Sequence, residues 1–294
     1  MSSLAPKERV LMVIHHQETD RLPRGELLVE ETFLNRYYPG KADAPYLEKM
    51  KQFVEEIGLD IVTVKIISGE LEKGLKELKT WAMETSYFVL ALIDGLFWKP
   101  EDPLSFQEFL LGIVREEGRI QNLIHLKKNR ALQLIKICLD EGAHGCIIGD
   151  DLAYHHAPFL SPEKLREWIL PGFREIVEAV KREKGIAFLH SCGNLTNIID
   201  LILSADFDGI HGLAPSAGND PIAIRKRTLN RVALMGIFEV DHINPQEIKN
   251  MKEKVLPVLS SQGGYIFGSA EGLSRNTPFE SFRALYINRE KLLN

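Results

Sequence analysis

Short apolar runs alternate along the chain with longer stretches in which apolar residues recur at helical spacing. The helix-like stretches include PYLEKMKQFVEEIG, LKKNRALQLIKICLDEG, SPEKLREWILPGFREIVEAVKREKG and NPQEIKNMKEKVLPVLSSQGG. The apolar runs are typical of buried strands and lie at Gly25–Val29, Ile61–Ile67, Tyr87–Ile93, Cys146–Gly149, Ile186–His190, Gly209–Leu213, Val232–Ile237 and Tyr265–Gly268. Because strands that alternate with helices pair in parallel, the pattern predicts an α/β fold.

The strand candidates fit a (β/α)8 TIM barrel formed by residues 1–294 as a single domain. A doubly wound open sheet is the main alternative, but no GxGxxG segment follows an early strand candidate. The longest insertion, near 99–130, separates the third and fourth candidates. This insertion could form a lid or an oligomer contact, such as that of a homodimer, and the pattern leaves both open.

Composition narrows the class of protein. The chain has 294 residues, of which 45% are hydrophobic and 26% charged, and its net charge of −5 argues against nucleic acid as a partner. Its cysteines, Cys138, Cys146 and Cys192, are too few for a disulfide scaffold and indicate a reducing compartment. Because the N-terminus has no signal-like apolar core and no run approaches the ~20 residues of a membrane span, we expect a cytoplasmic protein without membrane contact.

Polar side chains follow the carboxyl ends of the strand candidates, where TIM barrels carry their active sites. One rim of the predicted barrel thus collects carboxylates, histidines and a cysteine. In chain order these rim residues are Glu30, Glu31, Lys65, Asp94, Asp150, Asp151, Tyr154, His155, His156, His190, Cys192, His211, Glu239, Asp241 and Glu271.

His190 and Cys192 are the first candidates for a metal site. Residues two apart on a strand point to the same side, so an imidazole and a thiolate there can converge on one zinc ion. The alternative is a buried thiol beside a hydrogen-bonded histidine, and the spacing alone does not decide between them. Asp150 and Asp151 could likewise bind a ligand or cap the loop that follows.

Several segments together resemble the uroporphyrinogen decarboxylase superfamily. They are TDRLP, DGLFWKPEDP, IGDDLAYHHAPFLSPEKLREWILP, LHSCGN, RVALMGIFEVD and GGYIFGSAEGLSRNTP, and the resemblance extends from about Lys7 to the C-terminal FRAL segment. It implies a TIM barrel with one of two activities. One is decarboxylation of uroporphyrinogen without metal or cofactor, and the other is zinc-dependent methyl transfer to or from a corrinoid carried on a partner protein.

Two positions distinguish these branches. The decarboxylases resembled here carry an arginine-rich segment after the first strand, whereas this chain has Glu26, Glu30 and Glu31, which would repel an octa-acid substrate. The thiol-methylating transferases share the His-x-Cys pattern of His190 and Cys192. Their third zinc ligand is a cysteine after the last strand, and this chain departs from that pattern with Glu271. The resemblance therefore implies a zinc site of His190, Cys192 and Glu271, since a carboxylate also binds zinc.

One thiolate and harder donors favour an oxygen ligand over a thiol. We therefore expect a zinc-dependent methyltransferase that demethylates a methoxylated small molecule and passes the methyl group to a corrinoid on a partner protein. Asp150 and Asp151 would orient the substrate or a zinc ligand, and Tyr154, His211 and Glu239 are further pocket candidates.

Three alternatives remain from the sequence. The chain could methylate a thiol such as coenzyme M despite Glu271, decarboxylate a substrate unlike uroporphyrinogen, or bind a corrinoid or tetrapyrrole without catalysis. Metal content separates the first alternative from the other two, and a methyl-transfer assay separates catalysis from binding.

Overall fold

Parallel strands form one sheet in the computed structural model, which describes residues 3–229, 231–240 and 245–286. Seven strands pair in sequence order, each with its neighbours along the chain. They are β1 Ile61–Lys65, β2 Phe88–Asp94, β3 Gly145–Gly149, β4 Ile186–His190, β5 Gly209–His211, β6 Ala233–Phe238 and β7 Tyr265–Ser269. The predicted parallel α/β architecture is confirmed, and the expected rim position Asp241 lies outside the described residues.

Helices separate successive strands, as the sequence pattern predicted. They are α1 Pro6–Ile14, α2 Glu31–Tyr37, α3 Tyr46–Ile57, α4 Leu71–Glu84, α5 Phe106–Val114, α6 Gly118–Asp140, α7 Pro162–Trp168, α8 Leu170–Arg182, α9 Ile199–Leu203, α10 Pro221–Thr228, α11 Pro245–Asn250, α12 Leu256–Ser260 and α13 Phe279–Tyr286. A π-helical turn at Met251–Val255 joins α11 to α12. None of the helices in the described ranges is both long and apolar enough to cross a membrane.

One predicted helix is divided in two. The stretch SPEKLREWILPGFREIVEAVKREKG forms α7 and α8 rather than a continuous helix. Ser161 caps α7, because its hydroxyl accepts the Lys164 amide at 3.3 Å. Pro171 explains the break, since its nitrogen carries no hydrogen for the helical ladder and its ring clashes with the preceding turn.

The sheet encloses an apolar interior that is covered at one end. Alternate strand residues point inward and pack with α1, whose Val10, Val13 and Ile14 are buried among them. The amide of Lys7 donates to the carbonyl of Ser86 just before β2, so α1 covers the amino ends of the strands. The opposite, carboxyl ends of the strands are those at which TIM barrels carry their active sites.

The TDRLP motif stabilises the covered end. Asp60 precedes β1 and is fully buried. Its carboxylate accepts hydrogen bonds from the guanidinium of Arg9 at 2.5 Å and from both terminal nitrogens of Arg21 at 2.7 and 2.9 Å. Arg9 also donates to Asp20 at 2.7 Å. Such charge-assisted pairs fix the connection between α1 and the sheet, so this part of the family resemblance has a structural role.

The eighth regular strand, expected at Gly25–Val29, is not formed. Its beginning joins the two edge strands, because Gly25 forms a bridge to Ile61 of β1 and Arg24 forms one to Phe267 of β7. Beyond Gly25 the backbone ladder is interrupted, and it resumes where the Leu273 amide donates to the carbonyl of Leu28 and the Glu30 amide donates to the carbonyl of Leu273. Side-chain contacts lie between. The Thr63 hydroxyl donates to the carbonyl of Glu26 at 2.9 Å, and the Glu26 carboxylate accepts the Ser269 amide at 2.9 Å.

Glu26 makes the stability of the fold depend on pH. Its buried carboxylate also contacts the hydroxyls of Ser269 and Tyr286, and burial raises its pKa to about 7. Because the folded state holds this proton more tightly than the unfolded chain, Glu26 loses stabilising effect as pH rises from about 4.5 to about 7. We predict that Glu26→Gln gains stability relative to wild type over this interval, measured as the difference in unfolding free energy at pH 5 and pH 8. A difference independent of pH would contradict the assignment.

The insertion near 99–130 contains α5 and the first half of α6. Ser105 and Glu108 form a reciprocal capping box at the start of α5. Lys127 in the first half of α6 pairs with Asp102 at 2.6 Å and so ties the beginning of the insertion to its end.

Candidate metal centre

The candidate site lies where β3, β4 and β5 end side by side. Gly149 pairs with His190, and His190 pairs with His211. Asp151 therefore follows β3 beside the end of β4. The buried Ser191 hydroxyl reinforces this junction by accepting the Leu152 amide at 3.0 Å.

Three ligand atoms converge at this junction. His190 Nε2 lies 3.6 Å from Cys192 Sγ and 3.9 Å from Asp151 Oδ1. Tetrahedral zinc with bonds of about 2.0–2.3 Å places its ligand atoms roughly 3.3–3.8 Å apart. Within the described part of the chain, Asp151, His190 and Cys192 are the group whose ligand atoms lie within 4.8 Å of one another. His190 and Cys192 thus lie side by side, as their spacing predicted, and their binding of zinc stays a prediction.

A chain of hydrogen bonds lies behind His190. Its Nδ1 is 2.8 Å from His211 Nδ1, and His211 Nε2 is 3.1 Å from the carbonyl oxygen of Ser269. Since that oxygen can only accept, His211 carries its hydrogen on Nε2 when neutral and accepts at Nδ1. His190 then donates from Nδ1, which leaves a lone pair on Nε2 facing Cys192 and Asp151.

Two glycines permit the close packing of this histidine pair. Gly212 and Gly236 have φ values of +96° and +90°, which residues other than glycine rarely adopt. A Cβ atom on Gly212 would lie 3.0 Å from His190 Nδ1, and one on Gly236 would lie 2.5 Å from the Ser269 carbonyl oxygen. Backbone therefore packs directly against both ends of the hydrogen-bond chain.

The electrostatics of the site favour a cation. Burial raises the pKa of the Cys192 thiol well above its usual range, and Asp151 and Glu271 raise it further. Burial lowers the pKa of His190 to about 4, so its imidazole is neutral at pH 7. A neutral imidazole with a free lone pair, beside a thiol and acidic groups, is the donor set that a divalent metal ion would satisfy.

A cavity of about 120 Å³ opens beside Cys192. Its walls include Tyr154, Ser216 and Glu271. Glu271 is thus close to the metal-binding candidates, but the compact group of ligand atoms contains Asp151 instead. Its role as a zinc ligand stays a prediction.

The two neighbouring aspartates have different surroundings. Asp150 is buried and accepts the amides of Leu96 and Phe97 at 2.6 and 2.9 Å. Burial raises its pKa to about 6. Asp150 thus holds the turn after β2, whereas exposed Asp151 faces the site and accepts the Cys192 amide at 2.9 Å. The possibility that Asp151 is itself a ligand was missed, because it depends on the alignment of β3 with β4.

The other pocket candidates have specific partners. Tyr154 is exposed and packs against Phe159 at a ring distance of 5.5 Å. The carboxylate of Glu239 accepts the amide of Ser216 at 2.8 Å and also its hydroxyl. Glu239 thus orders a cavity wall. His211 contacts His190 rather than the cavity.

Comparison with known proteins places the chain in a family. The family model described as uroporphyrinogen decarboxylase (URO-D) matches residues 105–291, which is well over half of the 294 residues. Curated protein sequences gave no match.

Solved structures share the fold at low identity. A methyltransferase from Methanosarcina mazei superposes with a TM-score of 0.81 and 14% identity, covering 99% of this chain and 100% of its own. A B12-independent methionine synthase from a Shewanella species superposes with a TM-score of 0.59 and 13% identity, covering 92% of this chain and 96% of its own. The 3-keto-D-glucoside 4-epimerase of E. coli superposes with a TM-score of 0.54 and 11% identity, covering 90% of this chain and 96% of its own. At these identities the similarity shows the fold alone, while the sequence match shows that the chain belongs to the uroporphyrinogen decarboxylase family.

Proposed function

We propose that this chain is a zinc-dependent methyltransferase that moves a methyl group from a methoxylated small molecule to a corrinoid carried by a partner protein. The observation that carries the proposal is the convergence of Asp151, His190 and Cys192 at the carboxyl ends of the strands. The full-length similarity to the M. mazei methyltransferase supports this branch of the family.

The donor set fits zinc. The 3.6 Å separation of His190 Nε2 from Cys192 Sγ matches tetrahedral spacing, the 3.9 Å separation from Asp151 Oδ1 is longer and would have to shorten on metal binding, and His190 already presents a lone pair. Bound zinc would supply Lewis acidity toward a substrate oxygen, which improves the leaving group in methyl transfer. The chain contributes the neutral imidazole, a thiol that loses its proton on metal binding, and a carboxylate.

The ligands favour an oxygen substrate. Cys192 is the single thiol in the group, and the remaining donors are nitrogen and oxygen. The adjoining 120 Å³ cavity is of the size that accepts one small ring or less, since a cavity of about 150 Å³ holds benzene. The methoxy end of a small molecule can therefore lie beside Cys192, and we propose that the corrinoid approaches from the carboxyl ends of the strands.

Two carboxylates are candidates for the third ligand position. Glu271 corresponds to the cysteine that is the third zinc ligand of the thiol-methylating transferases that the chain resembles. Asp151 lies closer to the other two ligand atoms in this structure. We propose that Asp151 binds the metal and retain Glu271 as the alternative ligand at the substrate side.

Acidic residues argue against uroporphyrinogen as the substrate. Glu30 and Glu31 are exposed after the segment where the decarboxylases resembled here bind carboxylates with arginines. Like charges at ~4 Å repel by about 1 kcal/mol per pair even in water, so an octa-acid would bind poorly. A decarboxylase of another substrate remains the alternative activity.

The proposed setting follows from the same chemistry. All three cysteines are free thiols, which is typical of a reducing compartment such as the cytoplasm. We propose a separate corrinoid-binding protein as the partner, and the exposed Leu111 and Val114 of α5 in the insertion as part of a lid or homodimer contact.

Substitution of Glu271 tests the substrate class. We predict that Glu271→Cys shifts preference from methoxyaromatics toward thiols, because a second thiolate lowers Lewis acidity toward ether oxygen and leaves a substrate thiolate more nucleophilic. Single-turnover methyl transfer with both substrate classes measures the preference. Glu271→Gln is the matched control and should stay oxygen-directed. A wild type that prefers thiols, or a zinc-loaded Glu271→Cys with unchanged preference, would overturn this assignment.

A further inference from the structure

The histidine pair behind the candidate metal centre has a geometry that a purely packing role does not require. His211 is fully buried on β5, and its ring lies 4.9 Å from the ring of His190. The two Nδ1 atoms face each other at 2.8 Å, so one of them must carry a hydrogen and the other must not.

The far side of His211 decides which one does. Its Nε2 faces the carbonyl oxygen of Ser269 at 3.1 Å. If His211 carried its hydrogen on Nδ1, its Nε2 lone pair would face the oxygen lone pairs in a buried place, which is unfavourable. The favoured arrangement has hydrogen on His211 Nε2 and on His190 Nδ1.

The surrounding backbone leaves little room for another partner. Cβ atoms placed on Gly212 and Gly236 would lie 3.0 Å from His190 Nδ1 and 3.1 Å from His211 Nε2. Backbone thus occupies the sides of both hydrogen bonds, and His211 is the group placed to hold the hydrogen of His190.

We propose that His211 is a positioning residue that fixes the tautomer and ring orientation of His190, using the Ser269 carbonyl as its anchor, so that Nε2 is presented to a metal ion. The inference rests on the proposed metal site. Partners that orient a ligating histidine in this way typically change metal affinity by roughly 10–100-fold when they are removed.

The tautomer can be measured without metal. Long-range proton–nitrogen NMR of the metal-free protein should show hydrogen on Nδ1 of His190 and on Nε2 of His211. In His211→Leu, His190 loses its acceptor and should take up the Nε2-protonated form in a substantial fraction of molecules. His211→Gln offers a carbonyl acceptor and an amide donor, so it should retain the Nδ1-protonated form of His190.

Metal affinity supplies the second readout, with zinc or cobalt(II) alone as the probe. We expect His211→Leu to bind metal roughly 10–100-fold more weakly than wild type and His211→Gln to recover much of the loss. His144→Leu is the matched control, because His144 also bonds to backbone, accepting the Val89 amide at 2.9 Å, but lies at the amino end of β3.

The outcomes separate this inference from the proposed function. Hydrogen on Nε2 of His190 in wild type, or wild-type affinity in a folded His211→Leu, would overturn the positioning role. If wild type binds neither metal, the proposed function fails, while the NMR result still decides whether His211 sets the tautomer. If His144→Leu weakens metal binding as much as His211→Leu, general destabilisation explains the loss and the positioning role is rejected.

Discussion

Cys192→Ala is expected to remove zinc from the protein and abolish zinc-dependent methyl transfer. Cys192 supplies the single sulfur ligand of the convergent group, and its Sγ lies 3.6 Å from His190 Nε2. Losing one of three protein ligands should lower zinc affinity by roughly a thousandfold or more, since zinc binding to such donor sets is worth ~10 kcal/mol or more. Elemental analysis after dialysis against a weak chelator measures the stoichiometry.

Cys138→Ala is the matched control for this experiment. Cys138 is a fully buried thiol on α6 and packs in the core outside the sheet. This variant should be less stable but should keep about one zinc per chain. Full zinc occupancy in Cys192→Ala would show that the metal binds elsewhere.

Asp151→Asn is expected to weaken zinc binding more than Glu271→Gln. Both changes remove one negative charge and keep the size of the side chain. A difference in zinc affinity between the two variants therefore reports the position of the carboxylate relative to the ion. The Asp151 oxygen lies 3.9 Å from His190 Nε2, whereas Glu271 lines the adjoining cavity. Because the amide oxygen of asparagine is a poorer zinc ligand than a carboxylate, we expect a loss of roughly 10–100-fold in affinity for Asp151→Asn.

Zinc titration against a chromophoric chelator gives both affinities under one condition. An equal loss of zinc affinity in both variants would mean that the two carboxylates act through their charge and that neither binds the ion directly. A larger loss in Glu271→Gln would restore the ligand set of His190, Cys192 and Glu271 expected from the sequence.

Local patterns in the sequence predicted most of the architecture. Apolar runs located the seven strands, and the two-residue spacing placed His190 and Cys192 on one side of β4. The predicted strand that is not formed has its structure determined by residues far away in the sequence. The segment at Gly25–Val29 lacks a regular ladder, and its Glu26 is bound instead by the Thr63 hydroxyl and the Ser269 amide, which are distant from it in sequence.

The site was predicted less completely than the fold. The resemblance identified Glu271, but the approach of Asp151 to His190 depends on how β3 aligns with β4, which no single-strand pattern contains. His211 was a rim candidate, and its bond to His190 follows from the parallel pairing of β4 with β5. Asp150 and Asp151 are adjacent in sequence, but one lies in the core and the other faces the site.

Single-turnover methyl transfer tests the central claim most directly. Zinc-loaded protein is mixed with a methoxyaromatic compound and free cobalt(I) cobalamin, and the cobalt(I) absorbance is followed. We predict zinc-dependent loss of this absorbance with formation of methylated corrinoid, no reaction in chelator-treated protein or Cys192→Ala, and recovery when zinc is returned to the wild type. Equal rates with and without zinc, or no methyl transfer alongside conversion of uroporphyrinogen to coproporphyrinogen, would contradict the account.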